Sequence, residues 1–394
     1  MVSKVVKEIQ TRGQIYSRYG VRPIINGQGT STTLGGSMID PVAAEAMLAA
    51  SGSMVLLKEL NERAGELIAR HTGAEAGLVT SGAAGGMLLQ AAAVIAGNDR
   101  DKIRALPDTG GMKNEILILD HQKGIGYLQS WRTAGAALKT VNIDGIELAD
   151  EAADRVVSQA GPGTAAVGYV ASRWLRDDPP GLLGAVSRRS HARGIPVIVD
   201  AAAMLPPVEN LRRYISEGAD LVAFSGGKAI RGPQSAGILA GRRTLIEAAA
   251  ANGSPNGAVG RPLKVAKEEI VGLMVALERY VQRDHAADQA HWRRQMEVIS
   301  SRIQGIPGVR AQVLQDPHSR PVPEVAIFFE KGYRGPNGKQ IGTILESTDP
   351  PIVIGHANAR GEDLFVNAHN VADGEEVVIA ERLRAALTAT KPGS

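Results

Sequence analysis

The sequence predicts an α/β protein, with a mostly parallel sheet covered by helices and a smaller α/β unit after it. Three observations predict it. Apolar runs of strand length recur between helical patterns, at 77–80, 116–119, 137–141, 165–170, 197–199, 221–224 and 237–240. Strands that alternate with helices build parallel sheets buried on both faces. At 394 residues the chain can bury a substantial core and divide into two domains. Beyond residue 284 the pattern changes to a helix, two strands and a C-terminal helix.

Taken in order, residues 1–21 read as an N-terminal arm, and 41–70 carries helical periodicity. The strand at 77–80 leads through a glycine-rich turn into an alanine-rich helix that runs to residue 96. The connection between 224 and 237 is too short for a helical crossover, so the last two strands of the sheet are expected to be antiparallel. Asn252-Gly-Ser-Pro-Asn-Gly257 has the composition of a loop or hinge. One long helix is expected over 267–283, a further helix over 284–304, strands near 309–314 and 324–329, and a last helix from about 375. The expected division is an arm at 1–21, a large domain at 22–257, and a linking helix with a small domain at 258–394.

Composition narrows the function. The formal charge is only +3 and no long basic run occurs, so no nucleic-acid partner is expected. With no cysteine, disulfides, thiolate metal sites and cysteine nucleophiles are excluded. The N-terminus lacks the apolar core of a secretory signal, and no stretch has the length to span a membrane. A cytoplasmic protein without a membrane partner is the expectation. The chain contains neither His-Glu-x-x-His nor Gly-x-Ser-x-Gly, which leaves a metal hydrolase or a nucleophile-elbow hydrolase without a signature. No metal site is expected.

Three strand ends carry the chemistry. The run 221–224 enters Ser225-Gly-Gly-Lys228, and a Gly-Pro turn leads into the next strand. A lysine held in so tight a turn is better suited to present its amine to a carbonyl cofactor than to sit as a solvated charge. Burial or a nearby cation makes such an amine nucleophilic. The strand 197–199 ends at Asp200, 28 residues before that lysine. Pyridoxal phosphate needs an acid at its ring nitrogen, although a strand-end Asp also caps helices, and both readings stand for Asp200 alone. Leu78-Val-Thr-Ser-Gly-Ala-Ala-Gly-Gly-Met87 turns from strand to helix with small residues, where backbone N–H groups and the helix dipole suit a phosphate. Many such turns only pack, and this one lacks P-loop and dinucleotide spacing. The order of phosphate loop, acid and lysine, each at a strand end, points to pyridoxal phosphate.

With these residues in view, the chain resembles the fold-type I pyridoxal phosphate enzymes of the aspartate aminotransferase-like fold. Within them it resembles the selenocysteine synthase-like group, which includes the D-glucosaminate-6-phosphate ammonia-lyases. The resemblance rests on Ile25-Asn-Gly-Gln-Gly-Thr-Ser-Thr-Thr-Leu-Gly-Gly-Ser37, Thr72-Gly-Ala-Glu-Ala-Gly-Leu-Val-Thr-Ser-Gly-Ala-Ala84, Val199-Asp-Ala-Ala-Ala203, Phe224-Ser-Gly-Gly-Lys-Ala-Ile-Arg-Gly-Pro-Gln234 and Gly260-Arg-Pro-Leu-Lys-Val-Ala-Lys-Glu-Glu269. It covers about residues 15–387 and implies a seven-stranded sheet. It implies covalent attachment of the cofactor at Lys228, a ring-nitrogen partner at Asp200, and phosphate contacts from Ser81, Gly82, Ala83 and Ser225. Ala202 would pack on one ring face. His121, at the end of 116–119, would cover the other, although a lone histidine is also commonly structural.

Substrate cations are sought at Arg261 and Lys264, in the family-like block, at Arg231, three residues past the lysine, and at Arg173. Gln28 and Thr30 are further candidates, reaching into a site that a partner subunit could share. Each cation also reads as a surface ion pair. Relatives carry Pro and Arg after a C-terminal strand, whereas this chain has Asn367-Ala-His-Asn370 there, with His369 where the arginine would stand. The expected activity is a lyase that removes ammonia, with loss of a β-hydroxyl, from a hydroxylated amino acid or amino-sugar acid. Racemisation or epimerisation and retro-aldol cleavage share its first step and stay open. A seryl-tRNA selenium transferase is disfavoured, because the 24 residues before Ile25 are too few for a separate tRNA-binding domain. A homodimer or higher homo-oligomer is expected.

Overall fold

A computed structural model describes residues 2–173, 178–356 and 361–390. Along the chain the strands begin with β1 (Ile25–Gly27), β2 (Ala76–Ser81), β3 (Glu115–Leu119) and β4 (Ala137–Val141). They continue as β5 (Thr164–Val170), β6 (Val197–Asp200), β7 (Leu221–Ser225) and β8 (Ala236–Gly241). The last four are β9 (Val309–Asp316), β10 (Arg320–Phe329), β11 (Ile352–His356) and β12 (Leu364–Asn367).

The chain divides into two compact units, Ile39–Arg283 and Met1–Met38 with Asp284–Ser394. The larger holds a seven-stranded sheet in the order β2-β8-β7-β6-β5-β3-β4. Its neighbours pair in parallel from β7 to β4. Only β8 runs against them, antiparallel to both β7 and β2. The short 226–235 connection forces that reversal, as the sequence predicts. Two apolar clusters fill the two faces. One gathers Val199, Val222, Phe224 and Tyr280. The other gathers Ile116, Trp131, Ile198 and Ala91, Ala92, Ala93 and Ala96 of the Gly82–Ala96 helix. That helix is alanine-rich because it is buried almost throughout. Its one polar core residue, Gln90, is satisfied: its Nε2 donates to Val199 O at 2.9 Å, and Trp131 Nε1 donates to its Oε1 at 3.1 Å. A buried amide without such partners would be costly.

The second unit has a five-stranded sheet in the order β1-β11-β12-β10-β9. Val5, Ile9, Met296, Ile299, Val325 and Leu383 lie in one apolar cluster with it.

These units correct the expected domain limits. Residues 22–38 do not belong to the larger unit, because β1 pairs in parallel with β11, Ile25 opposite Ile352. The expected arm is helical, Val2–Arg12 and Gln14–Ser17, and joins the same unit through Val5 and Ile9. Residues 258–283 fall on the other side. The Lys267–Gln282 helix lies so close to the Pro41–Ser51 helix that a Cβ on Gly272 would meet Met47 at 2.6 Å. The helical stretch expected over 41–70 is two helices, Pro41–Ser51 and Leu57–Thr72, parted at Gly52. Among the described residues no helix is long and apolar enough to cross a membrane, and no group of three His, Asp or Glu is placed to hold a metal.

Candidate active site

Because β2, β3, β5, β6 and β7 run parallel, their C-terminal ends lie along one edge of the sheet. In open α/β sheets the crevice beyond those ends is where ligands bind. Ser81 ends β2, His121 follows β3, Asp200 ends β6, and Ser225 ends β7 just before Lys228.

The lysine turn is shaped by its glycines. Gly226 N donates to Ala236 O at 2.9 Å, Gly232 N to Gly226 O at 2.8 Å, and Arg231 N to Lys228 O at 2.9 Å. A Cβ on Gly227 would stand 2.3 Å from Gln234 Cα, and one on Gly226 would stand 2.8 Å from Ala236 O. The returning Gly232-Pro233-Gln234 segment therefore presses on both glycines. Arg231 has φ +59°, and its backbone carbonyl accepts from Asp40 N at 2.8 Å. Arg231 is thus a corner of this turn.

Lys228 is half-buried, and burial lowers the pKa of its amine. The Asp200 carboxylate opposes that shift, and the Arg173 guanidinium adds to it. Asp200 is 2% exposed. Burial pushes its carboxyl up to about 6, against the bond from Ala202 N (2.9 Å to Oδ1) and the Lys228 charge. The sheet edge thus holds a lysine and an acid that perturb each other, a mark of functional sites.

At the end of β2, Ser81 caps the Gly82–Ala96 helix without spending its hydroxyl on a cap bond. Gly82 has φ +63°, and its carbonyl is held by the Thr80 hydroxyl at 2.9 Å. A Cβ on Gly237 would stand 2.3 Å from Gly82 C, so β8 supports this turn from below. The first N–H groups of the helix, from Gly82 and Ala83 onward, have no partner within the helix. The loop bearing Arg261 and Lys264 passes this end: Leu263 is 3.6 Å from where a Cβ of Gly85 would sit. Both basic side chains there are exposed.

His121 lies in a short 3-10 turn pinned to β5 by its neighbour. Gln122 Nε2 donates to Val170 O at 3.2 Å, and Val170 N donates to Gln122 Oε1 at 3.3 Å. The His121 side chain is 15% exposed, with Nε2 at 3.3 Å from Asp178 Oδ1. Asp178 Oδ2 accepts from the Tyr169 hydroxyl at 2.9 Å.

Other expectations meet a different outcome. Arg173 is not available for a substrate anion through its two NH groups, which donate to the carbonyls of Ala203 (2.6 Å), Met204 (2.7 Å) and Pro206. It clamps the loop that follows Asp200, and burial lowers its pKa to about 10. Gln28 and Thr30 belong to the other unit, in the turn after β1, where Gln28 N donates to Asn26 Oδ1. His369 is 8% exposed, with its ring packed against Trp292 (centroids 5.4 Å) inside that unit.

Sequence reasoning missed Tyr169, Asp178 and Tyr127. Tyr127 sits in the 126–128 turn, its phenol pushed up to about 12 by burial and then by the Asp200 charge. Asp178 lies in an Asp-Asp-Pro-Pro run that gives no sequence signal.

The residues present suit pyridoxal phosphate. They supply a partly desolvated amine, a buried acid with a raised pKa, and a helix N-terminus with a glycine in the left-handed region and an uncommitted serine hydroxyl. Comparison with known proteins agrees. A family model described as L-seryl-tRNA selenium transferase matches residues 194–316. The chain is 31% identical to D-glucosaminate-6-phosphate ammonia lyase of Salmonella typhimurium, over 94% of this chain and 97% of that one. It is 32% identical to 5'-C-glycyluridine monooxygenase-decarboxylase of a Streptomyces species, over 92% and 90%. A solved structure of D-glucosaminate-6-phosphate ammonia-lyase superposes with a TM-score of 0.79 at 30% identity, covering 95% of this chain and 98% of that one. The likeness in sequence and in fold settles the family: the chain belongs to the selenocysteine synthase-like enzymes, pyridoxal phosphate-dependent and of fold type I.

Proposed function

We propose that the protein is a pyridoxal phosphate-dependent lyase that removes ammonia, with loss of a β-hydroxyl, from an amino-sugar acid or similar hydroxylated amino acid, giving a 2-keto acid. The observation that carries this is its end-to-end likeness, in sequence and fold, to an ammonia-lyase of that substrate class. The cofactor, when bound, supplies an electron sink for the pair left at the substrate α-carbon.

The chain's residues then divide the work. Lys228 would hold the cofactor through its Nζ. Its Nζ, already depressed in pKa, then takes the α-proton. Asp200 would hold a proton at the ring nitrogen; its own raised pKa is that of a buried carboxylate. Gly82 and Ala83 N–H groups, with the Ser81 and Ser225 hydroxyls, bind the phosphate. Ala202 and His121 flank the ring. Arg261 and Lys264, exposed beside the phosphate end, bind an anionic group of the substrate. Gln28 and Thr30 are proposed as substrate contacts to the site of a partner subunit. The working unit is a homodimer or larger homo-oligomer.

The test is a panel of D- and L-hydroxyamino acids with and without a 6-phosphate, with 2-keto acid release and α-proton exchange read in parallel. Keto acid from an amino-sugar acid supports the lyase. Proton exchange without keto acid points to racemisation, and aldehyde release to retro-aldol cleavage. Arg261→Ala should raise KM for the confirmed substrate by about tenfold or more, the worth of a charge-assisted contact, and leave cofactor absorbance intact.

A further inference from the structure

Tyr169, Asp178 and His121 form a contact chain at the sheet edge, and the proposed chemistry gives a task to His121 alone. Tyr169 lies on β5, whose end stands between the β3 and β6 ends that carry His121 and Asp200. Its hydroxyl donates to Asp178 Oδ2 at 2.9 Å, and Asp178 Oδ1 lies 3.3 Å from His121 Nε2. The Asp178 side chain is 12% exposed and that of His121 15%, so water screens the pair poorly. The phenol holds one carboxylate oxygen in place, and an imidazole N–H donated to the other oxygen would fix the carboxylate and the ring against each other. The backbone of His121 is independently fixed, because Gln122 is bonded in both directions to Val170. What remains to be set is the rotation of the ring and which nitrogen carries the proton. A histidine's tautomer is set by the bond its other nitrogen makes.

We infer that Asp178 is a positioning residue for His121: anchored by the Tyr169 hydroxyl at one oxygen, it holds the His121 ring flat to the cofactor and keeps the proton on Nε2. This rests on the reading of His121 as the cofactor's neighbour. At 3.3 Å the pair is close but not aligned as a hydrogen bond. A modest ring rotation would align it, and contacts of this kind commonly tighten in the liganded enzyme. The chain extends the cofactor environment by two residues that touch no reacting atom. It also explains why a strand-end tyrosine is turned to a carboxylate and not to solvent. Burial and that carboxylate keep the Tyr169 phenol protonated, so it stays a donor.

The test is a double-mutant cycle on the full-length holoenzyme, read by pyridoxal phosphate affinity from the visible circular-dichroism band on dilution and re-titration. Asp178→Asn and His121→Ala should each weaken affinity about tenfold, and the double variant should be no weaker than His121→Ala alone. Tyr169→Phe should weaken it about threefold, again only when His121 is present. This milder variant keeps the test available if Asp178→Asn does not fold. A role in holding the fold together would lower affinity equally in both backgrounds, so an Asp178→Asn loss undiminished by His121→Ala overturns the inference alone. So does unchanged affinity in either single variant. A wild-type protein that takes up no pyridoxal phosphate overturns the underlying reading instead.

Discussion

Asp200 shows most clearly how one residue's physics ties sequence to chemistry. It ends a four-residue strand buried at every position. Its folded pKa of about 6 exceeds the ordinary 3.8 because burial penalises the charge. An acid with a raised folded pKa stabilises the cofactor-free protein most below its unfolded pKa, and that contribution is lost as pH rises to about 6 and beyond. The cost at pH 7 is on the order of 3 kcal/mol. Asp200→Asn should therefore make the cofactor-free protein more stable at pH 7 and flatten its stability between pH 4 and 6, as read by denaturant unfolding. The same variant should retain pyridoxal phosphate and lose most turnover, by several kcal/mol in the barrier, as read by steady-state kinetics. Equal stability and near-normal turnover would contradict both halves. Lys228, Asp200 and Ser81 stood out in the sequence as candidates because each ends or closely follows a clear apolar run beside glycine or alanine. Asp178 and the true partners of Arg173 did not. Their roles arise from loops that meet through β5 and β6, and loop pairing leaves no periodicity to read.

At the scale of elements, the 226–235 turn is the most constrained piece of the fold. Two strands and a helix close on it: a Cβ on Gly226 would meet both Ala236 and, at 2.6 Å, Leu273. Gly227→Ala would drive a methyl into the backbone of Gln234, and overpacking of this kind costs ~1–3 kcal/mol. The variant should lose thermal stability and cofactor content together, measured by melting and visible absorbance. A Gly227→Ala protein with full cofactor would mean that the turn is looser than its contacts imply. All seven strands of the large sheet were legible as short runs rich in apolar residues, most of them buried. The break between the helices Pro41–Ser51 and Leu57–Thr72 was hidden, because the apolar residues Met54, Val55 and Leu56 continue the helical pattern across it. Strand β1 was missed for the opposite reason. Three residues carry almost no pattern, and its partner β11 lies more than 300 residues away in sequence.

At the scale of the molecule, a patch of the larger unit stands out. Leu48 is 76% exposed, Met54 90% and Leu56 75%. Large apolar side chains this exposed and this close in sequence suit an interaction site, and a second copy of the chain is the proposed occupant. Two-fold homodimers are the commonest soluble oligomers. Light scattering should give at least twice the 41.4 kDa chain mass. Met54→Glu with Leu56→Glu should shift the protein toward the single-chain mass. A fully active single chain at micromolar concentration would refute the oligomer.

The central claim is that Lys228 carries the cofactor, and borohydride reduction of the purified yellow protein followed by peptide mapping tests it most directly. Lys228 is half-buried, depressed in pKa and adjacent in charge to the buried Asp200. The account predicts one pyridoxyl-bearing peptide, modified at Lys228, and loss of the label in Lys228→Ala. A label fixed on any other lysine, or a colourless protein that reduction leaves unmodified, would contradict it.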